Sequence, residues 1–389
     1  MTRRKLIKWV VVAAVLTGAL AGCGEKPPIR VGFVAELAGK QSDLGVHERN
    51  GAQLAVDDIN ARGGVAGRKI ELVVRDDLGT PKGAQAADRE LIDAGVVAII
   101  GHATSSQTVA GLPVTAEAGV VLLSPSATTP DLSGLDDLFF RVVPTHLAQA
   151  QILARHVYNG RGVTRVAVIF DADNAAYSRS YGEAFTASFQ GLGGQVTDQV
   201  AYSSAENPDF ALLVAQVQAN SPDGLLIIAS ALDTALIAQR TQLLEWRPLL
   251  FAAAWAQSEV LIQNGGRAVE GLETAIAFDV HSQAAAYLDF QARYEERFGR
   301  APTFASGEAY EAVMVLAAAL TKTDGRAEGL AEALLETQDF EGLIGKLSLD
   351  AYGDASRTHF LVAVKDGQFV TQSSLEWISL SPDDSVKGE

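Results

Sequence analysis

From Ile29 onward the chain alternates two kinds of apolar pattern. Short continuous runs, "IRVGFVAE" (29–36), "KIELVVRDD" (69–77), "VVAIIGHA" (96–103) and "VVLLSPSAT" (120–128), predict strands buried on both faces, the habit of a parallel sheet. Between them lie helix-period segments. Residues 45–62 put Ala52, Val56 and Ile59 on one face, and Thr80-Pro81 opens a helix that Gly95 ends.

A second set starts near Thr145, with strands predicted at 165–171, 195–203, 223–230 and 248–255. Its layout echoes the first: a helix running into Gly193-Gly194 as the earlier one runs into Gly63-Gly64, then strand, Pro-containing loop, helix, and a strand ending "IIAS" where the first has "IIGHATS". Strand–helix alternation of this kind predicts α/β architecture in two lobes, with strand C-termini facing one crevice, where open parallel sheets place ligands. Beyond it come a strand at 271–279 and helices at about 284–298, 305–321 and 327–337, and the stretch 345–354 with a hairpin at 359–370 turned at Asp366-Gly367 closes the fold. The helices of 284–321 are expected to cover the first lobe, so the chain crosses between lobes several times.

Charge narrows the partners. The 389 residues carry a formal charge of −16, although the N-terminus holds Arg3, Arg4, Lys5 and Lys8 and no acid. Such an acidic body repels nucleic acid and anionic lipid headgroups. The basic start precedes an apolar run from Trp9 to about Leu20, short for a membrane span but suited to a secretory signal. Leu20-Ala21-Gly22-Cys23 resembles a bacterial lipoprotein box, which implies cleavage before Cys23 and its lipidation. Cys23 is the only cysteine, so neither a disulfide framework nor a Cys-based zinc site is available. Export by the general secretory route and export by a twin-arginine route both fit "TRRKLIK".

Catalytic and cofactor patterns are missing. There is no G-x-S-x-G elbow, no phosphate loop and no G-x-G-x-x-G. The six histidines show no metal-ligand spacing, and "DADNAAYSRSYGE" lacks the ligand and glycine a calcium loop needs. No enzyme activity, cofactor or metal is therefore expected. What stands out is "IIGHATSSQT" (99–108), an apolar strand breaking into hydroxyls, with "SPSATTP" (124–130) at the neighbouring strand end. Ser105 and Ser106 open a helix, whose free N–H groups attract an anion, and Ser126, Ala127 and Thr128 form the adjacent loop. The two loops together predict a cradle for a carboxylate or similar polar head. His102 is expected to be a satisfied polar group and no base.

The stretches "LAVDDINARGGVAGRKIELVVRDDLGTP", "IIGHATSS", "LLSPSATTPDL" and "LFFRVVPTHLAQA" closely resemble substrate-binding proteins of branched-chain amino acid ABC transporters, which are type I periplasmic binding proteins, over about 29–370. The resemblance implies two lobes that close on a ligand. It matches Ser105, Ser126 and Thr128 to the family's first-lobe grip, and Tyr177 to a second-lobe aromatic over the ligand. Where leucine-binding members place an acid for the ammonium, this chain has "AAAWAQ" (252–257), with Ala254 or Trp255 nearest; Ser230 aligns with a second tyrosine and Leu44 with a tryptophan. Asp279, Asp173 or Asp233 could replace the acid.

The expected organisation is a signal peptide at 1–22, a tether at 23–28, one lobe from 29–144 and 278–356, the other from 145–277 and 357–377, and a polar tail at 378–389. The expected function is a monomeric, lipid-anchored solute receptor in the cell envelope. It would hand a small polar ligand, an amino acid or related carboxylate or amide, to an ABC transporter permease. The alternative is a ligand sensor of the same fold presenting its closed state to a signalling or envelope partner.

Overall fold

The computed structural model describes residues 26–39 and 42–375; Cys23, the signal segment and the polar tail lie outside the described residues. In the first lobe the chain runs β1 (Ile29–Ala35), α1 (Ser42–Ala61), β2 (Ile70–Asp76), α2 (Pro81–Asp93), β3 (Ala98–Ile100), α3 (Ser105–Glu117), β4 (Val121–Ser124) and β5 (Phe139–Arg141). These strands make a wholly parallel sheet in the order β2-β1-β3-β4-β5. β1 is apolar along almost its whole length and buried on both faces, as a central parallel strand must be.

The second lobe follows with α4 (His146–Arg155), β6 (Arg165–Asp171), α5 (Ala175–Gly191), β7 (Gln195–Tyr202), α6 (Phe210–Gln218), β8 (Gly224–Ile228), α7 (Ala231–Leu243), β9 (Leu249–Ala252), α8 (Glu259–Gly265) and β10 (Glu273–Ile276). The chain then returns to the first lobe. There α9 (Ala285–Phe298), α10 (Phe304–Lys322) and α11 (Leu330–Leu335) share a core with β1 and α1. A small antiparallel sheet of β11 (Phe340–Glu341), β12 (Lys346–Leu349) and β13 (Ala355–Ser356) follows. The antiparallel hairpin β14 (His359–Lys365) and β15 (Gln368–Leu375) finishes the second sheet, ordered β15-β14-β10-β9-β8-β6-β7.

Two local features bear on the site. The strand expected over 96–103 stops at Ile100. Gly101 turns there with φ +141°, and a β-carbon on it would stand 2.3 Å from the Val34 carbonyl oxygen, so only glycine lets the chain leave the sheet here. The second feature is the crossing of α1 and α10. A β-carbon on Gly51 would stand 2.0 Å from the Ser306 carbonyl oxygen. That close approach of two backbones brings Glu48 on α1 and Glu308 on α10 into the interior, 0% and 4% exposed.

Candidate functional site

A cavity of about 50 Å³ lies between the lobes, at the C-terminal ends of both sheets. On this measure it has room for roughly three to five waters, so it suits a small head group. Ala103, Ser105, Ser126 and Thr128 wall it from the first sheet; Gln149, Asn174, Tyr177, Ala254 and Trp255 wall it from the second lobe. Phe278, Phe304 and Glu308 close the remaining side. A second chamber of about 260 Å³ adjoins it, sharing Leu44, Trp255 and Phe304.

Ser105 is the first residue of α3 and nearly buried; its Oγ accepts from the Thr129 N–H at 3.3 Å, joining the two hydroxyl-rich loops. No acceptor among the described residues takes its own proton. Thr128 Oγ1 stands 3.4 Å from Nδ1 of His146, which is held near 3 by burial, with the Arg141 charge adding to the effect, and is neutral. Tyr177 and Trp255 meet edge to face, centroids 6.1 Å apart, and form the opposite wall. Burial pushes the Tyr177 hydroxyl far above its ordinary value, so it stays protonated.

Ser126 reaches the cavity, but its hydroxyl is already committed. Its Oγ lies 2.7 Å from the Ala103 carbonyl oxygen and 2.5 Å from Glu48 Oε1. A hydroxyl has one proton and a carbonyl has none, so Ser126 donates to Ala103 and Glu48 must donate to Ser126. Glu48 is thus a neutral acid. Burial raises its pKa from 4.5 to about 8, with the Asp77 charge adding to the rise. Because its folded value exceeds its unfolded one, its contribution to stability is complete below pH 4.5 and is lost as pH rises through about 8. Glu48→Gln keeps an N–H donor for Ser126 and cannot ionise. Denaturant titrations across this range should therefore show wild type losing up to about 1.4 kcal/mol more per pH unit than Glu48→Gln. Parallel pH curves for the two proteins would refute the assignment.

Several residues singled out in the sequence stand elsewhere. Ala127 does not line the cavity: its N–H donates to Ser124 Oγ at 2.9 Å and its carbonyl accepts from Arg141, so both backbone groups are spent. Ser106 bridges the lobes, its N–H donating to Asn174 Oδ1 and its Oγ accepting from Ala176 N–H, both at 3.1 Å. Ser230 caps α7 and lines the adjoining chamber. Asp279 is withdrawn from the cavity, because Thr371 Oγ1 and the His281 N–H claim its carboxylate at 2.8 and 3.0 Å. Asp173 is held by Ser204 and Ala205, and Asp233 by Tyr202. The acid that does line the cavity is Glu308, which sequence reasoning missed. Its signal is present, though: Glu308 and Glu311 interrupt "FASGEAYEAVMVLAAAL", a helix with 14 buried residues and no continuous polar face.

His102 attacks nothing. Fully buried, it donates from Nδ1 to Asp77 at 2.8 Å and from Nε2 to Asp88 at 3.1 Å, while its carbonyl accepts from Ser124 Oγ. Burial works against its charge, but the two carboxylates outweigh it and raise the ring to about 9.

The fold has counterparts among known proteins. A family model described as periplasmic binding protein matches residues 28–368. The Leu/Ile/Val-binding protein BraC3 of Rhizobium johnstonii is 29% identical over 342 residues, 85% of this chain and 90% of that one. A Leu/Ile/Val-binding protein homolog of Brucella melitensis is 29% identical over 374 residues, 94% and 98% of the two chains. Among solved structures, a leucine-binding protein of Thermotoga maritima superposes with TM-score 0.83 at 27% identity, covering 89% of this chain and 98% of that one. A substrate-binding protein of Desulfitobacterium hafniense in complex with Leu superposes with TM-score 0.73 at 27% identity, covering 88% and 99%. Proteins of this family are solute receptors without catalytic turnover. The chain belongs to the periplasmic binding protein family, in the type I group of the branched-chain amino acid binding proteins, and is not an enzyme.

Proposed function

We propose that this protein is the extracytoplasmic receptor of an ABC transporter, which captures a small carboxylate-bearing solute between its lobes and presents the closed form to the permease. One observation supports the reading: Ser105 at the start of α3 and Thr128 in the next loop line a cavity that Tyr177 and Trp255 wall from the other lobe. A carboxylate seated there meets hydroxyls and the amide end of a helix. The solute's side chain would extend past Leu44, Trp255 and Phe304 into the adjoining chamber. Ser106, bonded to Asn174 and Ala176, acts as a latch for closure. Cys23 is the proposed point of lipid attachment, tethering the receptor to the membrane as a monomer; mass spectrometry finding it unmodified in mature, membrane-extracted protein would refute this.

A thermal-shift screen of amino acids, amides and small carboxylates tests the function, since a ligand at 100 times its dissociation constant adds about 2.7 kcal/mol. With a ligand found, Ser105→Ala and Thr128→Ala should each cost about 1.5–3 kcal/mol of affinity, the worth of a hydrogen bond to a charged group. Calorimetry should then read roughly 10- to 150-fold weakening. Unchanged affinity in both variants would reduce these hydroxyls to capping groups.

A further inference from the structure

The first lobe grips its own chain three residues after Cys23. The Arg68 guanidinium gathers three carbonyls there: Nε donates to Pro27 at 2.8 Å, Nη2 to Pro28 at 3.2 Å and Nη1 to Gly325 at 3.4 Å. Lys26 Nζ donates to the Ala66 carbonyl at 3.3 Å, and the Ile29 N–H donates to the Lys69 carbonyl at 2.8 Å as β1 begins. Two consecutive prolines have a fixed φ and no N–H to satisfy, so the stretch is stiff as well as held. The tether expected over 23–28 is thus bound to the lobe from Lys26 on. Only Gly24 and Glu25 stand between Lys26 and Cys23, and three residues span at most about 11 Å. The two loops that Arg68 joins, 62–69 and 323–329, hold Arg62, Arg68, Lys69 and Arg326 against Asp324 and Glu328, and Lys26 adds a further cation. Arg30, at the start of β1, is already paired with Glu71. This foot of the lobe is therefore basic, in a chain whose formal charge is −16.

Resting on the reading of Cys23 as the point of lipid attachment, we propose that the foot of the first lobe is a membrane-facing surface. The Arg68 grip seats loops 62–69 and 323–329 on the headgroups of the bilayer that holds the anchor, and their cations favour anionic headgroups. Salt confines the reach of a charge to about 8 Å at physiological ionic strength, so the headgroups feel these loops more than the acidic remainder. β1 rises seven residues from the foot, about 20 Å, and the solute cavity lies at the far, C-terminal end of its sheet. The cavity then faces away from the anchoring bilayer. Presenting it to a permease in that same bilayer requires the grip to open.

The test uses the mature, lipidated protein in mixed phosphatidylethanolamine–phosphatidylglycerol vesicles whose headgroups carry a nitroxide quencher. Acylation occupies the Cys23 thiol, the only one in the chain, so a cysteine introduced by Ala327→Cys or by Lys82→Cys takes a fluorophore alone. Ala327 stands exposed in the foot, whereas Lys82 lies in the first turn of α2, at the cavity end of the same lobe. Quenching should be severalfold stronger at 327 than at 82. The difference should narrow when phosphatidylcholine replaces phosphatidylglycerol, and narrow again in Arg68→Ala, which removes all three bonds of the grip. Should Arg68→Ala fail to fold, the two positions compared with Arg68 in place decide alone. Equal quenching at both, stronger quenching at 82, or a difference that folded Arg68→Ala leaves intact would overturn the inference; with Cys23 acylated by mass spectrometry, the anchor itself would still stand. An unmodified Cys23 would overturn both.

Discussion

Replacing His102 with alanine should destabilise the protein by about 3–5 kcal/mol, the cost of breaking a buried ion pair from one side. The ring holds Asp77 Oδ2 at 2.8 Å and Asp88 Oδ2 at 3.1 Å, and all three side chains are 0–1% exposed. Without it, two carboxylates remain in the core with no cation between them. The packing around them leaves no slack: a β-carbon on Gly111 would lie 2.3 Å from Asp88 Oδ2 and 2.6 Å from His102 Nε2, so α3 presses directly on the pair. The pH dependence has a definite sign. The ring's folded value, about 9, exceeds its unfolded 6.5, so its contribution is complete below pH 6.5 and is lost as pH rises through 9. Denaturant unfolding at pH 6 should show the full loss in His102→Ala, and at pH 10 a smaller one. In the folded variant, affinity should change less than in Ser105→Ala, because His102 is not one of the residues that wall the cavity. A stability loss under about 1 kcal/mol at pH 6 would mean that the carboxylates find other partners.

The architecture was legible because the strands of a doubly covered parallel sheet are continuous apolar runs. β1, β2, β4, β6 and β8 fall where such runs occur, and the final hairpin turns at Asp366-Gly367 as its sequence predicts. The errors lie where a neighbour distant in sequence decides. The third strand is cut short by the approach of Gly101 to Val34, which no local pattern announces. β15 runs on to Leu375, past the end expected near 370, and so carries Thr371 up to Asp279. Of the site, the donor types were visible but not their prior commitments. Ser126 and Ala127 stand in the right loop, yet Glu48, 78 residues earlier, and Ser124 with Arg141 have already taken their polar groups. Glu308 was overlooked because helical periodicity assigns acids to solvent, whereas α10 is enclosed by α1, the first sheet and Phe278.

Arg141→Ala should cost both stability and ligand affinity, about 3–5 kcal/mol of the former. Arg141 closes β5, and its guanidinium is wholly buried beneath the loop that carries Thr128. Nη1 donates to the Ala127 carbonyl at 3.2 Å and the Thr129 carbonyl at 2.8 Å, Nε donates to Asp354 at 2.7 Å, and Nη2 reaches Ser133. Thr128 lies between two residues whose carbonyls are drawn down to one cation, and this fixes the backbone that carries its side chain. Burial lowers the guanidinium's pKa, and the Asp354 carboxylate offsets part of that fall. The planar fork matters as much as the charge. Arg141→Lys keeps a cation for Asp354 but cannot span two carbonyls and a carboxylate, so it should recover part of the stability and little of the affinity. That split separates a positioning role from simple core support. Thermal unfolding and calorimetry on the two variants read the two quantities independently. If Arg141→Lys restored affinity fully, the guanidinium would be only a counter-charge for Asp354, and the loop would hold Thr128 in place without it.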